Sequence, residues 1–400
     1  MIACTAFAIA AAEGARRLLA PRTPPLKPAR VELRSYFSEA EIDRGRRFAR
    51  PQRALGLARM AIDFGALAMV VRRPPPALVR PRSRPVAAGG AAGGVLAVAM
   101  SLPTLPLRAI SRRRSIAAGL DTQSWRAWGA DLLKASAIEA VFAGAAGSAT
   151  VAAVRRYPQG WWLPVASASV LTGTVLSALA PVVLDPLFND FTPLPDGEAR
   201  TDVLELARTA GVKVGEVYSV DASRRTTAAN AYVTGLGPTK RVVLFDTLLD
   251  RYSRDELRMV VAHELAHVRH RDVPRGVVYA ALVAPAVALA VQRLSWALSS
   301  ARDTPAALPA LALAATLVSA PVGIVGNRLS RAIERRADEF SLQLAGAPDA
   351  FVSFERAIAL QNVADLEPPG WVTRLLSTHP PTVERIGAAV AWARAHEAAA

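Results

Sequence analysis

Four stretches of this 400-residue chain run for more than twenty residues with almost no charge: Leu132 to Val154, Trp161 to Leu184, Gly276 to Leu298 and Thr304 to Val325. A bilayer core about 30 Å thick is crossed by about twenty apolar residues in a helix. In lipid every backbone polar group must find its partner inside its own element, so such runs can only be helices. The chain is therefore expected to be mainly α, a polytopic membrane protein. Two further runs fit, Ala54 to Val71 and Val86 to Leu107. Arg59 and Asp63 stand four apart on one helical face of the former, where they pair with each other, face a watery interior or mark a polar site. Met1 to Ala12 is shorter and reads as a first span, an uncleaved anchor or a signal peptide. Its arginines follow the apolar run, which favours a span and a total of about seven.

A composition that is 52% hydrophobic excludes a disordered chain. The net charge of +15 would suggest nucleic acid in a soluble protein. Here the basic residues sit between apolar blocks and do not interleave with aromatics across a soluble face, so no nucleic-acid partner is expected. They read instead as topology signals, on solvated or headgroup-facing segments. The loop from Pro21 to Arg53 holds nine basic residues, and that from Arg108 to Asp131 holds Arg112, Arg113, Arg114 and Arg126. With the N-terminus outside, both fall on one side with the long fifth loop and the basic tail. One loop on the other side, with Arg72, Arg73, Arg80, Arg82 and Arg84, dissents. A ratio of 44 Arg to four Lys points to a GC-rich, bacterial genome and hence a bacterial cell membrane. Cys4, the lone cysteine, makes no intramolecular disulfide, so any metal must be held by His and carboxylate.

Between Asp185 and Pro274 the composition turns mixed, with helix and strand signals, which marks an inserted, folded α+β unit. Ala199 to Ala210 reads as an amphipathic helix. Val217 to Val220, Ala231 to Thr234 and Arg241 to Phe245 read as strands, the last two forming a hairpin whose loop, Leu236 to Lys240, contains Gly237 and Pro238. An exposed edge there either pairs with an extended peptide or is covered by a neighbour. The layout expected is residues 1–184 for five spans with basic loops, 185–275 for the extramembrane segment, 276–325 for two more spans, and 326–400 for a C-terminal catalytic segment.

After Ser253, which with Glu256 makes a capping-box pattern, a helix carries His263-Glu264-Leu-Ala-His267. Residues four apart share a helical face, so both imidazoles can reach one zinc ion. Glu264, one residue on, can take a proton from an attacking water and pass it to a leaving amine. His270 reads as a surface residue or a supporting neighbour. A third ligand comes from the segment after the last span, where Glu334 and Asp338 share a face. Glu334 completes the shell, while Asp338 accepts a hydrogen bond from a ligand His or handles protons.

These residues resemble the type I CaaX prenyl endopeptidases, the a-factor-converting enzymes among the HtpX-like membrane zinc metallopeptidases. The stretches that carry the resemblance are Asp185-Pro-Leu-Phe-Asn-Asp-Phe-Thr-Pro-Leu-Pro-Asp-Gly-Glu198, Asn230-Ala-Tyr-Val-Thr-Gly235, Arg241 to Leu249, the His263 motif, Glu334 to Asp338, and Ser377-Thr-His379-Pro-Pro-Thr-Val-Glu-Arg385-Ile. Gly119-Leu-Asp-Thr-Gln123 adds to them, so the likeness covers roughly Ser35 to Ile386. It implies a seven-helix zinc protease whose helices enclose a chamber faced by the catalytic centre, and with the zinc motif it makes the inserted unit a zincin-like α+β catalytic unit. It also implies one Zn2+ held by His263, His267 and Glu334, with Glu264 as base and Asp338 in support. His379 and Arg385 become candidates for oxyanion stabilisation. Asn230 either hydrogen-bonds a substrate backbone or forms a turn. The partners implied are peptide or membrane-protein substrates and the lipid bilayer. Two other readings are a quality-control protease without prenyl specificity and a non-catalytic scaffold or transporter with Arg59, Asp63 and Glu139 along a path. Seven spans favour the CaaX reading, and the intact metal set disfavours the scaffold.

Overall fold

The computed structural model describes residues 2–23, 25–80, 83–234 and 240–398. Helices α1 (Ile2–Leu19), α2 (Glu39–Arg72), α3 (Pro76–Val79), α4 (Pro85–Ser101), α5 (Leu105–Ala117), α6 (Trp125–Arg156) and α7 (Trp162–Val183) come first. The mixed unit follows as β1 (Phe191–Pro193), α8 (Glu198–Thr209), β2 (Glu216–Val220), β3 (Ala231–Thr234), β4 (Arg241–Phe245), α9 (Asp246–Leu249) and α10 (Arg254–Arg269). Then come α11 (Asp272–Leu298), α12 (Leu308–Ala345), α13 (Pro348–Gln361), α14 (Gly370–Leu375) and α15 (Thr382–Glu397).

Six helical stretches are long and apolar enough to cross a bilayer: Glu39–Arg72, Pro85–Ala117, Trp125–Arg156, Trp162–Val183, Asp272–Leu298 and Pro305–Ala345. They are the six longer runs expected from sequence, all but Trp162–Val183 extended by helix beyond the apolar part. The remaining expected span, Met1 to Ala12, corresponds to α1, which is not among those six. It packs within the bundle all the same, burying Ala8 against Ala286 and Val318, and Ala12 and Ala15 against Val283 and Val325. Arg59 and Asp63 make no ion pair with each other among the described residues.

α4 and α6 meet through small residues. A Cβ added at Gly93 would stand 2.4 Å from the Ala143 carbonyl oxygen, and one at Gly147 would stand 2.5 Å from that of Gly89. Lipid supplies no hydrophobic drive between helices, so close backbone approach through glycine gives this pair its packing enthalpy.

The four-stranded sheet runs in the order β1-β2-β4-β3. β3 and β4 form the expected antiparallel hairpin, with Ala231 opposite Leu244, and β2 lies parallel to β4. The hairpin loop with Gly237 and Pro238 lies outside the described residues. β1 pairs antiparallel with β2 in the proline-rich segment where no strand was expected. It survives there because Pro193 sits on an edge strand, where a missing N–H leaves little unpaired. One face of the sheet packs Val217, Val242 and Leu244 against Val203 and Leu206 of α8 and Val261 and Leu265 of α10. This apolar core fixes α10 under the sheet. Ser253 and Glu256 cap its start reciprocally, as their spacing predicts.

Most arginines of the basic runs are exposed, as expected for solvated signals, but a few are drawn into ion pairs within the protein. α2 starts at Glu39, so part of the first basic loop is helix, and its Arg46, Arg50 and Arg53 face the C-terminal segment. Arg46 pairs with Glu367 at 2.6 Å and Arg53 with Asp365 at 2.9 Å. Arg112 is 5% exposed, paired with Asp121 at 2.7 Å and set over the rings of Trp125 and Trp128. Nearby carboxylates and π-faces make burial of these charges tolerable. α15 is held from outside by the extended chain after α1: the Ala29 N–H donates to the Gly387 carbonyl at 2.9 Å.

Gly93→Leu should force the α4–α6 seam apart and destabilise the bundle by at least about 1–3 kcal/mol. Gly173→Leu on α7, where an added Cβ meets nothing within 4 Å, should leave thermal unfolding in detergent unchanged. Equal midpoints for the two variants would refute the seam.

Candidate metal centre

α12 has 38 residues, about 57 Å of helix. Glu334 lies about 39 Å along it from Leu308, past the reach of a bilayer core of about 30 Å. The membrane helix therefore delivers Glu334 and Asp338 to the extramembrane unit. There α12 packs against α10.

Helix periodicity turns His263 and His267 to the same side of α10, with ring centroids 5.1 Å apart. One potential ligand atom from each of His263, Glu264 and His267 lies within 4.8 Å of the other two. Glu334 reaches both rings as well. Its Oε2 is 3.2 Å from His263 Nε2, and its Oε1 is 3.8 Å from His267 Nε2. Ligands each about 2.1 Å from a tetrahedral ion stand about 3.4 Å apart, so these spacings suit two imidazoles and a carboxylate around one metal.

Two further observations support that fit. Glu334 Oε2 is buried and has no hydrogen-bond donor among the described residues. Burial draws the pKa of His263 down, but the facing carboxylates of Asp338 and Glu334 outweigh it and push the imidazole up to about 10. The pocket thus holds a surplus of negative charge that a divalent cation would balance in place of that proton.

Each metal-facing imidazole has a carboxylate at its other nitrogen. Asp338 Oδ1 is 3.0 Å from His263 Nδ1, a contact that lacks hydrogen-bond alignment. His267 Nδ1 hydrogen-bonds Asp272 Oδ2 at 3.1 Å. A proton on Nδ1 leaves the Nε2 lone pair free for a metal. Asp272 is itself gripped by Arg336. Sequence reasoning missed Asp272, and its one local signal is its place five residues after His267, at the start of α11.

Behind Asp338, Arg385 of α15 donates through Nε at 2.9 Å and Nη2 at 2.5 Å to the two carboxylate oxygens. Its Nη1 lies 2.6 Å from Glu355 Oε1. Glu355 is 1% exposed and was not foreseen. In α13 it stands four residues after Phe351 and four before Ala359, on the buried face, so its one local signal is a charge at an apolar-face position.

The remaining candidates fall into two groups. His379, 61% exposed at its side chain, brings Nε2 to 3.3 Å from Glu334 Oε2, while Nδ1 meets Thr378 Oγ1 at 2.9 Å. Glu264 makes no hydrogen bond or ion pair among the described residues, and burial pushes its carboxyl pKa up. His270 stands apart at the C-terminal end of α10, its ring edge-on to Phe340. Asn230 is exposed just before β3, the outer strand of the sheet, and its carbonyl accepts the Phe245 N–H at 3.1 Å.

Replacing Asp272 with Ala should weaken divalent metal binding about 10–100-fold by freeing the His267 ring. Competition with a fluorescent chelator reads this directly, and unchanged affinity would show that Asp272 does not orient the ligand.

The model for peptidase family M48 matches residues 193–393. An uncharacterized metalloprotease of Bacillus subtilis, YhfN, is 31% identical over 301 residues, 73% of this chain and 71% of that protein. A probable CAAX prenyl protease 1 of Schizosaccharomyces pombe is 32% identical over 229 residues, 55% of this chain and 48% of its own length. That match spans about half of the fission-yeast protein. The crystal structure of S. mikatae Ste24p superposes with a TM-score of 0.75 over 96% of this chain and 97% of that one, at 20% identity, and so shares the fold. The chain belongs to peptidase family M48: it is a multi-pass membrane metallopeptidase, a hydrolase with a metal cofactor.

Proposed function

We propose that this M48 peptidase is a zinc endopeptidase of a bacterial cell membrane, acting on C-terminal CaaX-type peptides that carry a prenyl group. The observation that carries the reading is the convergence of His263, His267 and Glu334 on one point with Glu264 beside it. Two imidazoles and a carboxylate with an open fourth position suit zinc. Zinc, when bound, supplies the Lewis acidity that polarises the scissile carbonyl and makes water a nucleophile near neutral pH.

The rest of the chemistry falls to side chains. Glu264 takes the proton of the attacking water and returns it to the leaving nitrogen, and its raised pKa brings it closer to the value such a shuttle needs. Asp272 holds the His267 imidazole in the tautomer that leaves Nε2 free, and Asp338 places its charge beside His263 Nδ1. His379, exposed beside Glu334, donates to the oxygen that gains charge as the carbonyl is attacked. Arg385 was also a candidate for that task. Its fork on Asp338 and its contact with Glu355 support a positioning role, exerted through Asp338.

The outer edge of β3 offers main-chain groups to an extended peptide, with Asn230 at its start for a further backbone hydrogen bond. The likeness to the probable CAAX prenyl protease 1 of Schizosaccharomyces pombe supports the CaaX substrate class. So does the location of the site at the ends of α11 and α12, within reach of a peptide anchored in the bilayer by its lipid.

In a panel of quenched-fluorescence peptides, Glu264→Gln should lose about 10²–10⁴-fold in cleavage rate while retaining zinc. Undiminished turnover would overturn the mechanism. Prenylated peptides should be cut faster than their unprenylated counterparts, and equal cleavage would make the chain a general membrane-protein protease. Stripping the metal with a chelator should abolish cleavage, and added zinc should restore it.

A further inference from the structure

The end of the bundle remote from the metal centre is built from residues 73–80, 83–84, 157–161 and 299–307, which lie between α2 and α4, α6 and α7, and α11 and α12. Arg72, Arg73, Arg80, Arg84, Arg155 and Arg302 gather there. Little opposes them. Asp303 pairs with Arg155 at 3.2 Å, whereas Arg302 has no carboxylate partner among the described residues and lies over the Trp296 ring, 4.8 Å from its centroid.

A cavity of about 470 Å³ opens between the α6–α7 and α11–α12 connections, lined by Arg155, Arg302, Asp303, Trp296, Pro158 and Gln159. Through Pro158 and Gln159 it continues into a second hollow of about 640 Å³ along the first turns of α7, past Leu163 and Pro164. On its inner side, Trp296 and Arg302 also border a small recess lined by Trp161. Trp161 is 2% exposed, and its Nε1–H has no acceptor among the described residues. Tyr157, Trp161 and Trp296 lie where membrane helices end or begin, the level at which aromatic residues meet lipid headgroups. The groove therefore has a cationic mouth at headgroup depth, an unmatched donor beneath it, and an apolar trough leading along a membrane helix.

We propose that this groove binds an anionic phospholipid, with its phosphate on Arg155 and Arg302 and an acyl chain along Leu163 and Pro164. Charge complementarity selects the occupant. A zwitterionic headgroup offsets its own phosphate, while an anionic one supplies the charge that Asp303 alone leaves unbalanced. The bound lipid bridges the α6–α7 and α11–α12 connections. Occupancy therefore braces α11 and α12, whose opposite ends carry Asp272, Glu334 and Asp338 to the metal centre.

The test uses the zinc-loaded full chain in detergent, titrated with phosphatidylglycerol or phosphatidylcholine, with bound lipid counted by native mass spectrometry and stability read as the thermal midpoint. Phosphatidylglycerol should be retained and raise the midpoint, and phosphatidylcholine should do neither. The Arg155→Ala/Arg302→Ala double variant should weaken phosphatidylglycerol by about thirtyfold. Leu163→Glu, at a half-exposed trough position, should weaken it as well, without loss of zinc. Arg72→Ala/Arg73→Ala, at the same end but outside the groove, should bind as wild type. Equal effects of the two lipids, retention by the Arg155/Arg302 variant, or equal loss in the Arg72/Arg73 variant would overturn the site. Inorganic phosphate alone reproducing the shift would overturn it too, since a free anion would then suffice.

Discussion

A line of alternating charge, running from His263 through Asp338 and Arg385 to Glu355, is buried where α10, α12, α15 and α13 meet. Asp338 and Glu355 are 2% and 1% exposed, and taking such ions out of water costs several kcal/mol each unless an opposite charge meets them. The four helices can therefore pack only where the charges interleave. That requirement sets the rotation of α12 about its axis. Glu334, one turn before Asp338, is turned by the same rotation onto the imidazoles of α10. Asp272 repeats the device on a smaller scale, held by Arg336 on one side and meeting His267 on the other.

The centre is assembled from two kinds of structure. The sheet and its apolar core hold α10, which carries the two imidazoles and Glu264, while α11 and α12 bring Asp272, Glu334 and Asp338 from the membrane. Neither half by itself brings both imidazoles together with the Glu334 carboxylate. The bilayer fixes how far α12 must run before it emerges, and the length of helix left over reaches the site. The small-residue seam of α4 and α6 lies elsewhere in the bundle and contributes packing without any chemical group. At the far end, arginines that face few carboxylates give the two faces of the protein different electrostatics.

Much of this was legible in the chain. The hairpin of β3 and β4, the capped start of α10 and the apolar cores of the six longer membrane helices all follow from local periodicity and capping chemistry, although α2 begins fifteen residues before its apolar run and α12 continues twenty residues past its own. His263, His267, Glu334 and Asp338 were legible because a spacing of four on a helix fixes which residues share a face. Arg112 and Arg53 were misjudged, since an arginine bound for a buried ion pair looks the same in sequence as one bound for water. β1 escaped notice because a three-residue strand between prolines has too little alternation to register.

The sequence by itself determined that the chain spans a membrane, that a mixed unit interrupts the spans, and that a helix presents two imidazoles with a glutamate between them. These are properties of neighbouring residues, governed by hydrophobic runs and by the 3.6-residue turn. Only the tertiary structure decided that Asp272 supports His267, that Glu355 balances Arg385, and which arginines are buried. Those pairings join helices far apart in the chain. They depend on how each helix is rotated and advanced against its neighbours, which is set by the packing of the whole molecule and left unspecified by any local pattern.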